Sequence, residues 1–475
     1  MRENFKRHLA NSAIGVVFVV ALALFGASVF PGSGLHDYVF YLIEINKYVQ
    51  LVISILFILI AWHLYQRKRL AWVVCMVLLP ASLLLHFVLQ QHPIGVIIIL
   101  LETYALAALL ICYNDFKRPF HVFSKNTSLS AGKKSLAREL VLKYGQNSSS
   151  YLALEDDKIL FFGKNIDGIV AYGVVGNVVT VCGDPICAPD DFVQFLAEFK
   201  AFCTECSYEC IFLGTSEVFL KEYEMLGYSH VKAGEEARFK LDEYQLAGGK
   251  MAKMRALINH ANKEVTTREY KPTVEKNEEI EKGINNVSEE WLEGKKSGQL
   301  GFSVGGTGLG DPMDRRYFYA VDAEEKIVGF NVFLPYDNKN GYLADVTRRI
   351  PHAPGGVTEK LIYDGFMVFK EEGAQWGNMG MATFANVGEE GVKDDLTVKF
   401  LEFIYEKCNG FYGFKDLHKA KEKYSPTVWA PGYFVYSTKN VTPEIAFAAI
   451  KIQNPGGMKD FVLSSVKSHF HNKPT

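Results

Sequence analysis

Four long apolar segments lie within the first 113 residues, and they constrain the fold more than any other feature of the sequence. Residues 13–30, 48–65 and 70–89 contain no Asp, Glu, Lys or Arg, and residues 93–113 contain Glu102 alone of these. A helix of about 20 apolar residues crosses a bilayer, so each segment is long enough to span one. The first is too long, and too closely followed by others, to be a cleaved signal peptide. We therefore predict a transmembrane region with four spans over residues 1–120.

Basic residues lie beside alternate loops of this region. They are Arg2, Lys6 and Arg7 before the first segment, Arg67, Lys68 and Arg69 between the second and third, and Lys117 and Arg118 after the fourth. The two remaining loops carry little positive charge. By the positive-inside rule, the N-terminus and the chain beyond the fourth segment face the cytoplasm. The predicted localisation is the cell membrane, with a multi-pass region and a cytoplasmic catalytic domain.

Beyond a polar linker at residues 121–130, one order of predicted elements occurs twice. In residues 131–260, strands are predicted at 158–162, 168–175, 178–182, 210–213 and 237–241, with helices at 135–144, 191–206 and 218–226. In residues 261–475, strands are predicted at 316–321, 326–334, 342–347 and 376–382, with helices at 357–372 and 396–408. An antiparallel meander, a turn, a helix and a further strand is the order of a GNAT-type acyltransferase lobe. We therefore predict an α/β fold in which a transmembrane helix bundle precedes tandem GNAT-like lobes, the second with the active site.

The stretch YLADVTRRIPHAPGG at residues 342–356 is the strongest candidate site. A predicted strand ends there at Asp345 and Arg348, and two prolines and a Gly355–Gly356 pair lead into the next helix. Free N–H groups and the helix dipole favour an anionic ligand at such a helix N-terminus. A surface ion pair followed by a loop is equally compatible with this stretch.

In a GNAT-type lobe, the loop between the fourth strand and the following helix holds a phosphate or pyrophosphate. Asp184, in the sequence GDP, and the turn at residues 348–356 occupy these two places. Neither supplies the Arg/Gln-x-x-Gly-x-Gly/Ala pattern of acetyl-CoA enzymes, which weakens acetyl-CoA chemistry without excluding it. We predict no cofactor.

Charge and cysteine content limit the kinds of ligand that the chain is expected to bind. A formal net charge of −2 excludes a wholesale polycation but permits local basic faces such as residues 250–271. That stretch could neutralise phosphates or form a solvated helix face, and no aromatic ladder predicts stacking on single-stranded bases. The cluster Cys203-x-x-Cys206-x-x-x-Cys210 lacks a second matched pair, so no metal site is predicted.

Several short motifs occur in the order found in one enzyme family. They are GDP at 183–185, LGYSHVKAGEEARFKLDEY at 226–244, KMAKMRALINHANK at 250–263, WLEGKK at 291–296, GFSVG at 301–305, DVTRRIPHAPGGV at 345–357, NMGMA at 378–382 and KEKYSP at 421–426. Over roughly residues 131–437, the chain resembles the C-terminal synthase domain of bacterial phosphatidylglycerol lysyltransferases, the multiple-peptide-resistance lipid aminoacylases. The resemblance implies transfer of an amino acid, lysine or similar, from aminoacyl-tRNA to the glycerol hydroxyl of phosphatidylglycerol or a related lipid.

The sequence departs from this family in three respects. Four spans stand where the full-length enzymes carry a long multi-span flippase region, which places flipping of the product in doubt. Thr383 and Phe384 stand where the family tends to have Pro-Leu, and Ala430 stands where it tends to have an acid. These changes lie near the presumed site, so the amino acid and the lipid are left open.

The transfer of an activated aminoacyl ester needs orientation, a proton acceptor and oxyanion stabilisation. The candidate catalytic residues are Asp345, for the substrate ammonium or the hydroxyl proton, and Arg348, for a phosphate or the oxyanion. The candidate substrate-binding residues are Lys421 and Lys423 for phosphates, Glu422 for a cationic side chain, Ser303 and Asn378 as orienting donors, and Asp184. No Ser-His-Asp or Cys-His order predicts a covalent enzyme intermediate.

Two other function classes remain open from the sequence. One is a GNAT-type acyltransferase acting on another acceptor, such as a cell-wall precursor or a glycolipid. The other is a non-catalytic membrane scaffold that kept the fold. A homo-oligomer is compatible with all three.

Overall fold

The computed structural model describes residues 2–29, 47–65, 67–88, 93–113, 116, 129–294, 301–387 and 414–453. The chain divides into two compact units. One comprises Met1–Ser124 and Phe202–Tyr208, and the other comprises Lys125–Ala201 and Glu209–Thr475. The helix predicted at residues 396–408 lies outside the described residues.

The first unit contains the helices α1 (Arg2–Val29), α2 (Lys47–Tyr65), α3 (Arg69–Val88) and α4 (Pro93–Ile111). The bounds of α2, α3 and α4 lie within two residues of the corresponding apolar segments, whereas α1 begins eleven residues before the first segment. Small side chains such as Ala13, Ala61 and Ala105 are fully or almost fully buried in a common core, which allows close approach of the helices. Arg67 donates a hydrogen bond to Asn11 at 2.6 Å. Among the residues that the structure describes, no helix has both the length and the apolarity needed to cross a membrane.

The second unit is a mixed α/β structure, which confirms the predicted α/β class for this part of the chain. Its strands are β1 (Ile159–Phe162), β2 (Gly168–Val175), β3 (Val178–Cys182), β4 (Ile186–Cys187), β5 (Glu209–Ser216), β6 (Ser229–Lys240), β7 (Thr266–Tyr270), β8 (Arg316–Val321), β9 (Ile327–Tyr336), β10 (Gly341–Arg349), β11 (Trp376–Thr383) and β12 (Val428–Tyr436). The helices after residue 129 are α5 (Ala131–Tyr144), α6 (Phe192–Glu205), α7 (Leu220–Met225), α8 (Ala252–Glu264), α9 (Glu278–Glu293), α10 (Val357–Glu371), α11 (Phe414–Glu422) and α12 (Pro443–Gln453). A 3-10 turn at Ser150–Leu154 follows α5.

One sheet joins these strands in the order β1-β2-β3-β5-β12-β6-β11-β10-β9-β8-β7, and β4 pairs with β2. Strands β3 and β5 are parallel, as are β10 and β11. Strand β12 lies between β5 and β6 and pairs antiparallel with both. The two predicted lobes therefore share one sheet, and the predicted boundary at residue 260 falls within α8.

Hydrophobic clusters pack against both faces of the sheet. On one face, α5, α9, α12 and the Ser150–Leu154 turn cover residues such as Phe330 and Leu334. On the other face, α8 and α10 cover an aromatic cluster that includes Phe333 and Phe369, whose ring centroids are 4.9 Å apart. Tyr342 of β10 stacks on Phe369 at 3.9 Å. Because burying such a ring contributes about 1.5–3 kcal/mol, this cluster fixes α10 against β10.

Gly356 directly precedes α10 and has a φ of +88°, and a Cβ added there would overlap the carbonyl oxygen of Leu257 in α8. We expect Gly356→Ala to lower the free energy of unfolding by about 3 kcal/mol or more, because left-handed strain adds to a steric overlap. Gly373 is the matched control, since its φ is +91° but nothing lies within 4 Å of an added Cβ. Gly373→Ala should therefore cost only about 1–2 kcal/mol. Equal losses in chemical denaturation of the two variants would show that the α8 contact is unimportant.

Candidate active site

The candidate site lies where two parallel strands cease to pair. Strand β10 pairs with β11 only from Gly341 to Leu343, whereas β11 pairs with β6 both there and beyond this point. Beyond this point β10 has a bulge, since its register with β9 shifts between Ala344 and Val346. Asp345 is the additional residue of the bulge. A bulge re-aims a side chain, and here it presents Asp345 to the loop at residues 301–305.

Asp345 has a perturbed acidity. The N–H of Gly305 donates a hydrogen bond to Oδ2 of Asp345 at 2.9 Å. Burial raises the pKa of Asp345 to about 7, and the charge of Glu155 also raises it, whereas the Gly305 hydrogen bond, Arg315 and Lys158 lower it. Near neutral pH this carboxyl group can either hold a cation or exchange a proton.

Glu155 is fixed by a buried arginine. Nη2 of Arg315 donates to Oε1 of Glu155 at 2.8 Å, and Nη1 donates to the carbonyl oxygen of Asp311 at 2.8 Å. The Arg315 side chain is 3% exposed and that of Glu155 is 17% exposed. Lys158 is fully buried and forms an ion pair with Asp157. Sequence reasoning missed Glu155 and Lys158, because the charged run LEDDK at 154–158 is typical of a solvated loop. It also missed Arg315, which lies outside the motifs that carry the resemblance.

Arg348 is buried against α9. Its Nη1 donates to the hydroxyl oxygen of Ser288, and its Cζ lies 5.1 Å from the centroid of the Trp291 ring. Burial lowers the pKa of Arg348, and the charge of Asp345 raises it. Arg348 is 5% exposed, and the described residues contain no ion pair between Arg348 and Asp345. The surface ion pair considered from the sequence is therefore wrong.

Lys421 and Asn378 are held around β11. Nζ of Lys421 donates to the carbonyl oxygens of Gly380 at 2.8 Å and Met381 at 3.0 Å. Asn378 is fully buried, donates to Oε2 of Glu236 at 3.1 Å and accepts a hydrogen bond from the N–H of Gly380 at 2.6 Å. These contacts place both predicted residues in one polar cluster with Glu236.

Glu236 connects this cluster to neighbouring strands and turns. Its carboxylate accepts hydrogen bonds from Ser148 and from Nε of Arg238, the latter at 3.0 Å. Sequence reasoning also missed Glu236, although it lies within the quoted motif at residues 226–244. Glu236 lies on β6, between β12 and β11, and a glutamate inside a sheet needs a hydrogen-bonding or charged partner.

Asp184 serves the first half of the sheet. Its carboxylate accepts hydrogen bonds from Asn147 at 2.9 Å, the N–H of Ser216 at 3.0 Å and the hydroxyl of Tyr223 at 3.3 Å. Burial raises the pKa of Asp184, whereas these hydrogen bonds lower it. These hydrogen bonds connect the end of β3 to β5 and α7, so they give Asp184 a structural role. Its substrate-binding role stays a prediction.

In the described part of the chain, the other three predicted residues form no hydrogen bond or ion pair with Asp345. Oγ of Ser303 donates to Gln453 at 2.9 Å, two residues before Gly305 in the chain. Lys423 forms an ion pair with Glu359 in the first turn of α10. Glu422 is exposed at the end of α11. Their substrate-binding roles stay predictions.

The anion site expected before α10 is not supported. The backbone of α8 packs against Gly356, and an acidic side chain, Glu359, lies in the first turn of α10. Among the described residues, no group of three or more His, Cys, Asp or Glu side chains is placed to hold a metal ion.

Lys421 should make stability depend on pH. Burial lowers its pKa from 10.5 to about 7, so between these values the unfolded chain binds the proton that the folded protein lacks. Stability should thus rise with pH above 7, by up to about 1.4 kcal/mol per pH unit, and Lys421→Met should abolish this gain. Lys419→Met, an exposed neighbour on α11, is the control. If the unfolding free energies of wild type and Lys421→Met run parallel from pH 7 to 10, the pKa of Lys421 is not lowered in the folded protein.

Gly305 should tolerate no side chain. A Cβ at this position would overlap Oδ2 of Asp345 and lie 2.9 Å from Oε1 of Glu155. We expect Gly305→Ala to reduce product formation by at least about 10-fold, because a misplacement of about 1 Å can cost 10²-fold in rate. The matched control is Gly306→Ala, whose nearest neighbour is 4.0 Å from the added Cβ. Equal product rates in the two variants would show that the contact of Gly305 with Asp345 is not needed for activity.

A family model described as the C-terminal part of phosphatidylglycerol lysyltransferase matches residues 138–436, which is more than half of the chain. The chain belongs to this family. The family inferred from the sequence motifs is thereby confirmed. The matched residues include Glu155, Asp345, Arg348 and Lys421.

Individual relatives agree with this assignment. A phosphatidylglycerol lysyltransferase of Staphylococcus epidermidis is 29% identical over 351 residues, covering 72% of this chain and 39% of that protein. One of Bacillus subtilis is 29% identical over 317 residues, covering 67% of this chain and 36% of that protein. The solved structure of L-PGS from Bacillus licheniformis is 28% identical, with a TM-score of 0.57, and the match covers 64% of this chain and 91% of that one. The chain spans about two fifths of the length of the curated relatives it matches.

Proposed function

We propose that the chain is an aminoacyltransferase that moves an amino acid, lysine or similar, from aminoacyl-tRNA to the glycerol hydroxyl of phosphatidylglycerol or a related lipid. The observation that carries this proposal is the placement of Asp345 and Arg348 on β10 within a domain of the phosphatidylglycerol lysyltransferase family. The tandem GNAT-like description of that domain belongs to the same proposal.

The chemistry requires a hydroxyl to attack an ester that is already activated. The lipid oxygen forms a bond to the ester carbonyl carbon, the bond to the tRNA ribose oxygen breaks, and the hydroxyl proton passes to the leaving oxygen. Asp345 orients the cationic aminoacyl group, and Arg348 offers a buried positive charge to a phosphate or the oxyanion. In its neutral form Lys421 has two N–H donors directed at Gly380 and Met381, so its lone pair can accept the proton.

The contacts of α10 favour aminoacyl-tRNA over acyl-CoA as donor. The turn where the pyrophosphate of CoA is expected in a GNAT-type lobe packs at Gly356 against the backbone of Leu257. An ion pair between Lys423 and Glu359 lies in the first turn of the same helix. These groups leave little unopposed positive charge for a pyrophosphate.

We also propose that the first unit attaches the protein to the cell membrane as a multi-pass region, with the catalytic domain in the cytoplasm. Helices α1 to α4 carry large exposed apolar side chains, among them Phe18, Leu56, Trp62, Leu84 and Leu100. Apolar surface of this extent normally contacts lipid or another protein. Reporter fusions after Thr475 should register as cytoplasmic, and an extracytoplasmic signal would refute the orientation.

The function is tested with the full chain in detergent, phosphatidylglycerol and radiolabelled aminoacyl-tRNA. We expect a labelled lipid product that disappears after ribonuclease pretreatment of the donor. A product that requires acyl-CoA would instead identify a GNAT-type acyltransferase. Lipid extracts analysed by mass spectrometry with and without the gene provide a further comparison. A new aminoacylated lipid would support the proposal, another acylated product would indicate a GNAT-type acyltransferase with a different acceptor, and no change would indicate a scaffold.

A further inference from the structure

The carboxylates of Glu155 and Asp345 meet at Gly305. Oδ2 of Asp345 and Oε1 of Glu155 both lie against the position that a Cβ of Gly305 would occupy. Glu155 follows the Ser150–Leu154 turn in the first half of the sheet, whereas Asp345 lies in the bulge of β10 in the second half. The two halves of the domain thus bring two acidic groups to one point.

One oxygen of each carboxylate is already fixed by the protein. The N–H of Gly305 binds Oδ2 of Asp345, and Arg315 binds Oε1 of Glu155. In the part of the chain that the structure describes, Oδ1 of Asp345 and Oε2 of Glu155 receive no hydrogen bond from a protein donor. Neither of these oxygens is among the buried polar atoms, so solvent or a ligand can reach them.

The cations around this point each have a partner within the protein. Arg315 also binds the carbonyl oxygen of Asp311, Lys158 pairs with Asp157, and Arg348 binds Ser288 on α9. The groups that face Asp345 electrostatically are therefore Glu155, Arg315, Lys158 and Arg348. Two adjacent carboxylates repel one another unless a proton or a cation lies between them.

We propose that Glu155 is a second substrate-binding carboxylate, which together with Asp345 binds a primary ammonium group of the aminoacyl substrate. This inference rests on the proposed function. A primary ammonium has three donors and no acceptor, so it matches two acceptor oxygens from separate carboxylates. Glu155 also lines an open recess at the surface together with Lys134, Asp156 and Asp311, so it is accessible from solvent.

Glu155→Gln removes the charge and keeps the shape, and Asp156→Asn is the matched control because the Asp156 side chain is 80% exposed. The probe is lysine methylamide, which carries both ammonium groups and cannot be transferred. Calorimetric titration of the full chain in detergent should show at least about 10-fold weaker binding to Glu155→Gln and unchanged binding to Asp156→Asn, as expected for loss of a charge-assisted contact. Norleucine methylamide retains only the α-ammonium and Nα-acetyl-lysine methylamide only the side-chain ammonium, so their titrations identify the group that is bound.

A pH series separates binding from a structural role. Because the charge of Glu155 opposes ionisation of Asp345, removing it should lower the pKa of Asp345. The midpoint at which binding strengthens with pH should therefore lie near pH 7 in wild type and at a lower pH in Glu155→Gln. Glu155→Asp keeps the charge and should keep the wild-type midpoint. A shift seen only in Glu155→Gln is therefore due to the lost charge and not to a destabilised fold.

The inference is overturned if wild type does not bind lysine methylamide, or if Glu155→Gln binds it with wild-type affinity and midpoint. Neither measurement uses tRNA or lipid. Weakened binding in Glu155→Gln together with no lipid product in wild type would therefore refute the proposed function and leave the ammonium site standing.

Discussion

Asp345→Asn is expected to lower the rate of lipid product formation by about 10²–10³-fold, the usual consequence of losing one transition-state contact. Asparagine preserves the volume of the side chain and can still accept the hydrogen bond from Gly305. The wild-type rate should rise with pH through about 7 as both Asp345 and Lys421 lose a proton, and the variant should keep only the part of this rise that is due to Lys421.

The stability of the folded protein should depend on the ionisation of Asp345 in the opposite direction to the rate, so measuring both distinguishes a catalytic from a structural role. The pKa of Asp345 is raised from 3.8 to about 7 in the folded protein, so its contribution to stability is present at low pH and lost between these values. At pH 8 the Asn variant should therefore melt no lower than wild type. Full activity would remove Asp345 from the site, and a collapsed melting transition at pH 8 would make it structural.

Arg348→Lys is expected to lower the rate of lipid product formation by about 10²-fold. The lysine keeps the positive charge but loses the planar group that lies 5.1 Å from the Trp291 ring centroid and donates to Ser288. Product rate and melting temperature should be measured together, with Arg349→Lys as the control because Arg349 is exposed at the end of the same strand. If Arg348→Lys and Arg349→Lys form product at the same rate, a positive charge at residue 348 is sufficient and the planar guanidinium group is not required.

The local elements of the fold could largely be predicted from the sequence. Strands β2, β3 and β8 have the predicted bounds, because they are apolar or β-branched runs that end at turns. Strand β6 was predicted only from Ala237, whereas it begins at Ser229. Its Glu235 and Glu236 hide the pattern, and the structure supplies partners for both, including Lys232 for Glu235 and Arg238 for Glu236.

Long-range pairing could not be predicted. Nothing in the local sequence of β12 indicates that Gly432 pairs with Ser216 and with Gly234. The same holds for the site. The motif order identified Asp345 and Arg348, but Glu155 joins them only through the packing of a distant turn against Gly305. Lys158 is a further example, since a fully buried lysine is rare and its solvated neighbours give no sign of it.

The position of β12 has a consequence for the synthesis of the protein. Until residues 428–436 have left the ribosome, β5 and β6 present hydrogen-bonding edges with no strand between them. Unpaired edges promote association with other chains, and contacts between distant residues form slowly. The nascent first half of the domain should therefore depend on chaperones for the time that translation takes to travel from Lys240 to Tyr436, and a ribosome stalled in that interval should yield aggregated chains rather than a folded half-domain.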